Sequence, residues 1–182
     1  MNRLSDHVKD KEVLLVGNSE SIIGAGLGPT IQSAEFVIRF NLSIAHLNSC
    51  TGTKTDAWVF AMKRQRVCRK IYNDAIIKPR TCFRHERHPD PGVDFNFIPL
   101  GVSISSVQKE LKTTLDPSVG VCTLWYVLNC SEPKNVSIVG FDSFLNMNFH
   151  AKRNITRSQH PVAEEARYIS DLKLSKKINS LD

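Results

Sequence analysis

The sequence is poor in cysteine, with five in 182 residues and no C-x-x-C pair. An odd, scattered set does not make a disulfide framework, and a reducing, cytosolic setting fits it. No apolar run approaches the roughly 20 residues of a membrane span. The start, Met1 to Lys11, is polar and charged, unlike a secretory signal peptide. A Gly-X-Y period and a heptad run are both missing, which excludes collagen-like and coiled-coil architectures. No linker, internal repeat or low-complexity block divides the chain.

What is present is the composition of an ordinary globular protein, 41% hydrophobic and 23% charged. A chain of 20.5 kDa can build one buried core, so a single domain over residues 1–182 is expected. The net charge is +6 and the pI about 9.2. That balance bears on partners and not on fold. Nucleic acid, a membrane surface or a phosphorylated ligand would each suit it.

Apolar runs and turn residues set the expected elements. Glu12–Val16, an apolar run closed by Gly17-Asn18-Ser19, reads as a buried parallel strand. Strands are also expected at Glu35–Phe40, Asp56–Phe60, Arg80–Arg84, Phe95–Leu100 and Val136–Val139. Lys63–Ile77 has helical length. Ser103–Leu115 places Ile104, Val107 and Leu111 at spacings of three and four. Asp116-Pro117 reads as a helix start, because proline is tolerated in the first turn. Ser143–Gln159 reads as a polar loop, and Val162–Ile178 as an amphipathic helix. Strands alternating with helices predict an α/β domain with a mostly parallel sheet.

Three places could carry chemistry. The first is the end of the first strand, because open parallel sheets bind ligands beyond their carboxyl ends. Gly17 would admit a close approach, Asn18 offers donors and acceptors, and Ser19 a hydroxyl. Gly24, Gly26 and Gly28 follow. They read equally as a phosphate-facing loop or as a glycine-rich turn, and Pro29 stands where a dinucleotide motif would have its third glycine. The second is Asp116-Pro117-Ser118-Val119-Gly120, where a helix start either favours an anion or is simply capped. The third is His160 with Glu165. An imidazole can take a proton near neutral pH, and a carboxylate on the same element could orient it; by spacing alone, an exposed His near a helix start is usually just a surface residue.

Taken together, these pieces resemble a known pattern. Val16-Gly17-Asn18-Ser19, Ser33 through Asn41, and Gly52-Thr53-Lys54-Thr55 resemble the large motif of the eukaryotic-type sialyltransferases, the family 29 glycosyltransferases. Asp116 through Cys130 to Val136-Ser137-Ile138-Val139-Gly140-Phe141 resembles their small motif. His160 and Glu165 match their terminal His-x-x-x-x-Glu motif. The resemblance runs from about Val13 to Glu165.

It implies a Rossmann-like domain, the sialyltransferase variant of the GT-A fold. It also implies metal-independent, inverting transfer of a sialic acid, or of a related sugar acid such as Kdo, from its CMP ester to a glycan or glycolipid hydroxyl. No cofactor is implied beyond that donor. Asn18 and Asn41 would contact the donor nucleotide or its phosphate, with Gly17, Ser19 and Gly140 in the same cleft. Ser118 and Gly120 would hold the CMP portion at the helix start. His160 would be the general base, with Glu165 its motif partner.

The chain departs from the family in four respects. Val119 replaces a hydroxyl residue before Gly120, and Val13–Val16 offers no cysteine to pair with Cys130. No N-terminal membrane anchor is apparent, and the chain is short. A binding module that kept the donor cleft and lost turnover is therefore the alternative reading. A third reading is nucleic-acid binding through the basic run Lys63–Lys70. No nucleic-acid signature accompanies that run, so specific nucleic-acid recognition is not expected; the run could hold the protein peripherally at a membrane. His85 and His88 lack the further ligands of a metal site, and no metal is expected.

Overall fold

The structure, a computed structural model, describes residues 3–45, 47–60, 70, 72, 73, 75, 79–84, 98–142 and 160–181. The Lys63–Ile77 helix lies mostly outside these residues. So do nearly all of the basic run, the His85–His88 pair and the Ser143–Gln159 loop.

Seven strands are described: β1 (Glu12–Val16), β2 (Phe36–Phe40), β3 (Ala57–Phe60), β4 (Thr81–Arg84), β5 (Ile98–Pro99), β6 (Asn135–Val139) and β7 (Asn179–Ser180). They form one sheet in the order β5-β4-β3-β2-β1-β6-β7. Every pairing is parallel. The chain builds outward from β1 in one direction as far as β5, then returns to lay β6 against the other side of β1. The strand order therefore reverses between β1 and β6, the kind of place where open α/β sheets hold ligands.

The α-helices with described bounds are α1 (Leu4–Val8), α2 (Gly28–Ser33), α3 (Ile104–Leu111), α4 (Val119–Cys130) and α5 (Val162–Leu174). Alternation along β1 explains their placement. Val13 and Leu15 face a large core with Leu4 and Val8 of α1, Val107 of α3, Leu124 of α4 and Ile169 of α5. Leu14 and Val16 face a smaller core with Ile22, Ile31 of α2 and Val139. A strand covered on both faces must be apolar at successive positions, which is why β1 reads as a run and not as an alternation.

The strands start within one residue of the expectation where both ends are described, and three helix boundaries differ from it. Helix α4 starts after Ser118, which has extended dihedrals and accepts the Val121 N–H at 3.3 Å. Ser118 is thus the N-cap, and Pro117 lies before the helix instead of in its first turn. α3 stops at Leu111 because Lys112 turns left-handed at φ 56°. α5 stops at Leu174, and the chain then adds β7 at the edge of the sheet.

Candidate active site

The register places the sequence-selected residues along one edge. Val16 lies opposite Arg39 on one side and Val139 on the other. Gly17 and Asn18 follow Val16, Asn41 follows Phe40 and Gly140 follows Val139, so all lie at the carboxyl ends of neighbouring parallel strands. Asn41 leaves β2 in a left-handed conformation, φ 46°, and its carbonyl accepts the Trp58 indole N–H at 2.7 Å. Among the described residues, Asn18 Oδ1 is buried without a hydrogen-bond partner. A buried acceptor left unpaired is costly, so a ligand group that donates to it would recover that cost.

The glycines here make room for the chain itself. A Cβ on Gly17 would stand 2.1 Å from the Gly140 carbonyl oxygen, and the Gly17 N–H donates to Val139 O at 2.8 Å. Gly140 turns at φ 69° against Ile22, and a Cβ on Gly120 would stand 3.0 Å from the Phe141 ring. The two strand ends are thereby drawn together, and Phe141, edge-on to Phe40 at 5.9 Å, wedges under the start of α4. Gly28 packs its backbone against the Ser49 carbonyl, so it serves packing within a six-residue helix.

Ser19 is buried, and its hydroxyl is already engaged. It donates to Asp142 Oδ2 just past β6 and accepts the Ser21 N–H. This link ties the loop after β1 to the loop after β6. Asp142 was not singled out by the sequence reading. Its place directly behind Gly140-Phe141 was the available signal.

At the other side of the site, α4 and α5 meet through Glu165. This carboxylate is 1% exposed. One oxygen accepts the Ser118 main-chain N–H at 2.5 Å and the other accepts the Ser118 hydroxyl at 2.9 Å. Burial pushes the Glu165 carboxyl up from the ordinary carboxylate range, against the lowering pull of the two Ser118 hydrogen bonds and of His160. With Ser118 N–H and Val121 N–H both occupied, Val119 and Gly120 are left as the amides of the first two helical positions, where no intrahelical acceptor exists.

His160 sits one residue before the N-cap of α5, and its Nδ1 lies 2.7 Å from the Asp116 carbonyl oxygen. A carbonyl only accepts, so Nδ1 carries the proton and Nε2 is the basic nitrogen. His160, Asp116, Ser118 and Glu165 therefore form one cluster across more than 40 positions of sequence. Glu165 reaches Ser118 through hydrogen bonds and His160 through charge. Cys130, at the far end of α4, is a free exposed thiol. Among the described residues, no group of three or more His, Cys, Asp or Glu could hold a metal ion, and no helix is long and apolar enough to cross a membrane.

No family model and no curated protein sequence matches this chain. Solved structures do. A mammalian sialyltransferase matches with a TM-score of 0.64 and 16% identity over 94% of this chain and 69% of that one. A mammalian sialyltransferase in complex with Gal-beta-1-3GalNAc-ortho-nitrophenol matches with a TM-score of 0.66 and 16% identity over 97% of this chain and 71% of that one. The fold is thus that of a sialyltransferase-like, Rossmann-type α/β domain.

Proposed function

We propose that this protein is a glycosyltransferase that uses a CMP-activated sugar acid, and that the edge between β1, β6 and α4 binds the donor. The observation that carries this reading is the cluster at the start of α4. There, His160 is fixed in one tautomer by the Asp116 carbonyl, and Glu165 fixes Ser118, in a fold shared with sialyltransferases. In this mechanism His160 Nε2 takes the proton of the acceptor hydroxyl. The hydroxyl oxygen forms a bond to the anomeric carbon, and the bond from that carbon to the CMP phosphate oxygen breaks on the opposite face. Negative charge then grows on the leaving phosphate. The amides of Val119 and Gly120 and the positive end of α4 would stabilise it without reorganising.

Two measurements test this. Calorimetric titration should show CMP binding in preference to UMP and AMP, and equal affinity for all three would overturn the donor assignment. His160→Ala should lower turnover by about 10²–10⁴-fold while leaving CMP affinity within a few-fold. Unchanged turnover would remove His160 as the base.

Val119 supports a second reading, since it gives no hydroxyl at the helix start. On that reading the protein is a binding module without turnover. CMP affinity with no transfer and no His160-dependent donor hydrolysis would favour it.

A further inference from the structure

Trp58 stands on β3 opposite Arg39 of β2. It is one of two tryptophans in the chain and is fully buried. Its ring lies edge-on to Phe60 at 5.0 Å and stacked on Tyr72 at 6.4 Å. A ring enclosed in this way is held in one orientation, and so is its N–H. That N–H donates to the Asn41 carbonyl at 2.7 Å.

An indole N–H can only donate, and burial makes an acceptor necessary. The acceptor it takes belongs to the residue expected at the donor nucleotide, where β2 ends. Asn41 there adopts the left-handed region, φ 46°, which is unfavourable for a non-glycine residue, although asparagine tolerates it better than most. The competing conformation is extended backbone that prolongs β2. An extended Asn41 would turn its carbonyl away from Trp58, so the indole bond favours the turned form. The preceding residue is held as well. The Ser43 hydroxyl accepts the Phe40 N–H at 3.2 Å and donates to the Phe40 carbonyl at 2.8 Å. The main chain is thus fastened on both sides of the Asn41 Cα.

We infer that Trp58 is a positioning residue for the nucleotide: through the Asn41 carbonyl it sets the place from which the Asn41 amide meets the donor. The inference rests on the CMP-donor reading above, and it adds a residue that lies outside the motifs. Its physical content is preorganisation. A backbone already turned and held does not have to be ordered when the ligand arrives, and the affinity is higher by that much.

The test is calorimetric CMP titration of the whole protein, arranged as a double-mutant cycle. Trp58→Phe keeps an aromatic ring and removes the N–H. It should weaken CMP binding about 3- to 10-fold, the span of one lost hydrogen bond. Asn41→Gly accepts the left-handed backbone freely and removes the amide, so it should weaken CMP at least as much. Adding Trp58→Phe to Asn41→Gly should then weaken it by no more than about twofold further, because no amide is left to position; a residue that only supports the fold would give additive effects. Phe83→Leu, in the large core on β4, controls for lost stability. It should lower the urea midpoint and leave CMP affinity within about twofold. Trp125→Phe leaves Trp58 as the source of the one indole N–H signal in nitrogen-labelled NMR spectra, and that signal should move on saturation with CMP.

Wild-type affinity in Trp58→Phe, a full loss that persists in the Asn41→Gly background, an equal loss in Phe83→Leu, or an unmoved indole signal would each overturn the inference and leave the donor reading standing. Wild-type protein that binds CMP no better than UMP and AMP would sink the donor reading, and this inference with it.

Discussion

Glu165 does more at the residue scale than its motif partnership with His160 suggests. Its two oxygens take both donors of Ser118, so one buried carboxylate joins the starts of α4 and α5. Burial raises its proton affinity in the folded state. The native state therefore binds more protons than the unfolded chain between the ordinary carboxylate value and the raised one. That contribution to stability is complete below the ordinary value and is lost as pH rises through the raised value. Glu165→Gln carries no such proton. Its stability relative to wild type, read from urea midpoints, should improve steadily from pH 4 to pH 7. A constant difference across that range would show that the carboxylate is not strained by its burial.

Gly17 poses a different question at the same scale. Its dihedrals are not the issue; the Gly140 carbonyl occupies the place of a side chain. Gly17→Ala must push β1 and β6 apart at their site ends, at a cost of about 1–3 kcal/mol by analogy with overpacking. A lower urea midpoint together with weakened CMP binding is expected. A midpoint unchanged within error would mean the strand ends part freely.

At the scale of elements, legibility followed burial. β1, β2, β3, β4 and β6 were readable because two-sided cover demands runs of apolar residues. β7 was not, since Asn179 and Ser180 carry no strand signal and pair only because β6 presents an edge to them. α4 starts two or three residues after Asp116-Pro117, because capping by a serine sets a helix start more firmly than a proline's tolerance of the first turn. Ser118, an excellent cap, marks the boundary. The site was readable as an ordered set of motifs, though their internal logic was not. Arg39, fully buried in β2, donates to the carbonyls of Thr51, Gly52 and Lys54. These bonds tie the strand ending in Arg39-Phe40-Asn41 to the Thr51–Lys54 turn. Burial lowers the Arg39 guanidinium to about 10. Nor could spacing reveal that Glu165 would find Ser118, because contacts between distant elements leave no local period.

The whole molecule is organised around β1, which has neighbours on both sides from opposite ends of the chain. Its partnership with β2 forms early, across a short α2 connection. Its partnership with β6 joins residues roughly 120 positions apart, and the entropy of closing such a loop precedes any reward from pairing. A chain cut after Lys134 keeps β1 to β5 and α4 but leaves one edge of β1 open. It should be digested by protease under conditions where the whole protein survives. Comparable resistance would show that the first five strands fold alone. During synthesis, the same geometry sets a waiting time. At about 5–20 residues per second, β1 is made roughly 6–25 s before β6, and one edge of this apolar strand stays unpaired until then. The parallel topology that creates the site's switch point therefore also makes the nascent chain a client for whatever shields unpaired strands in the cell.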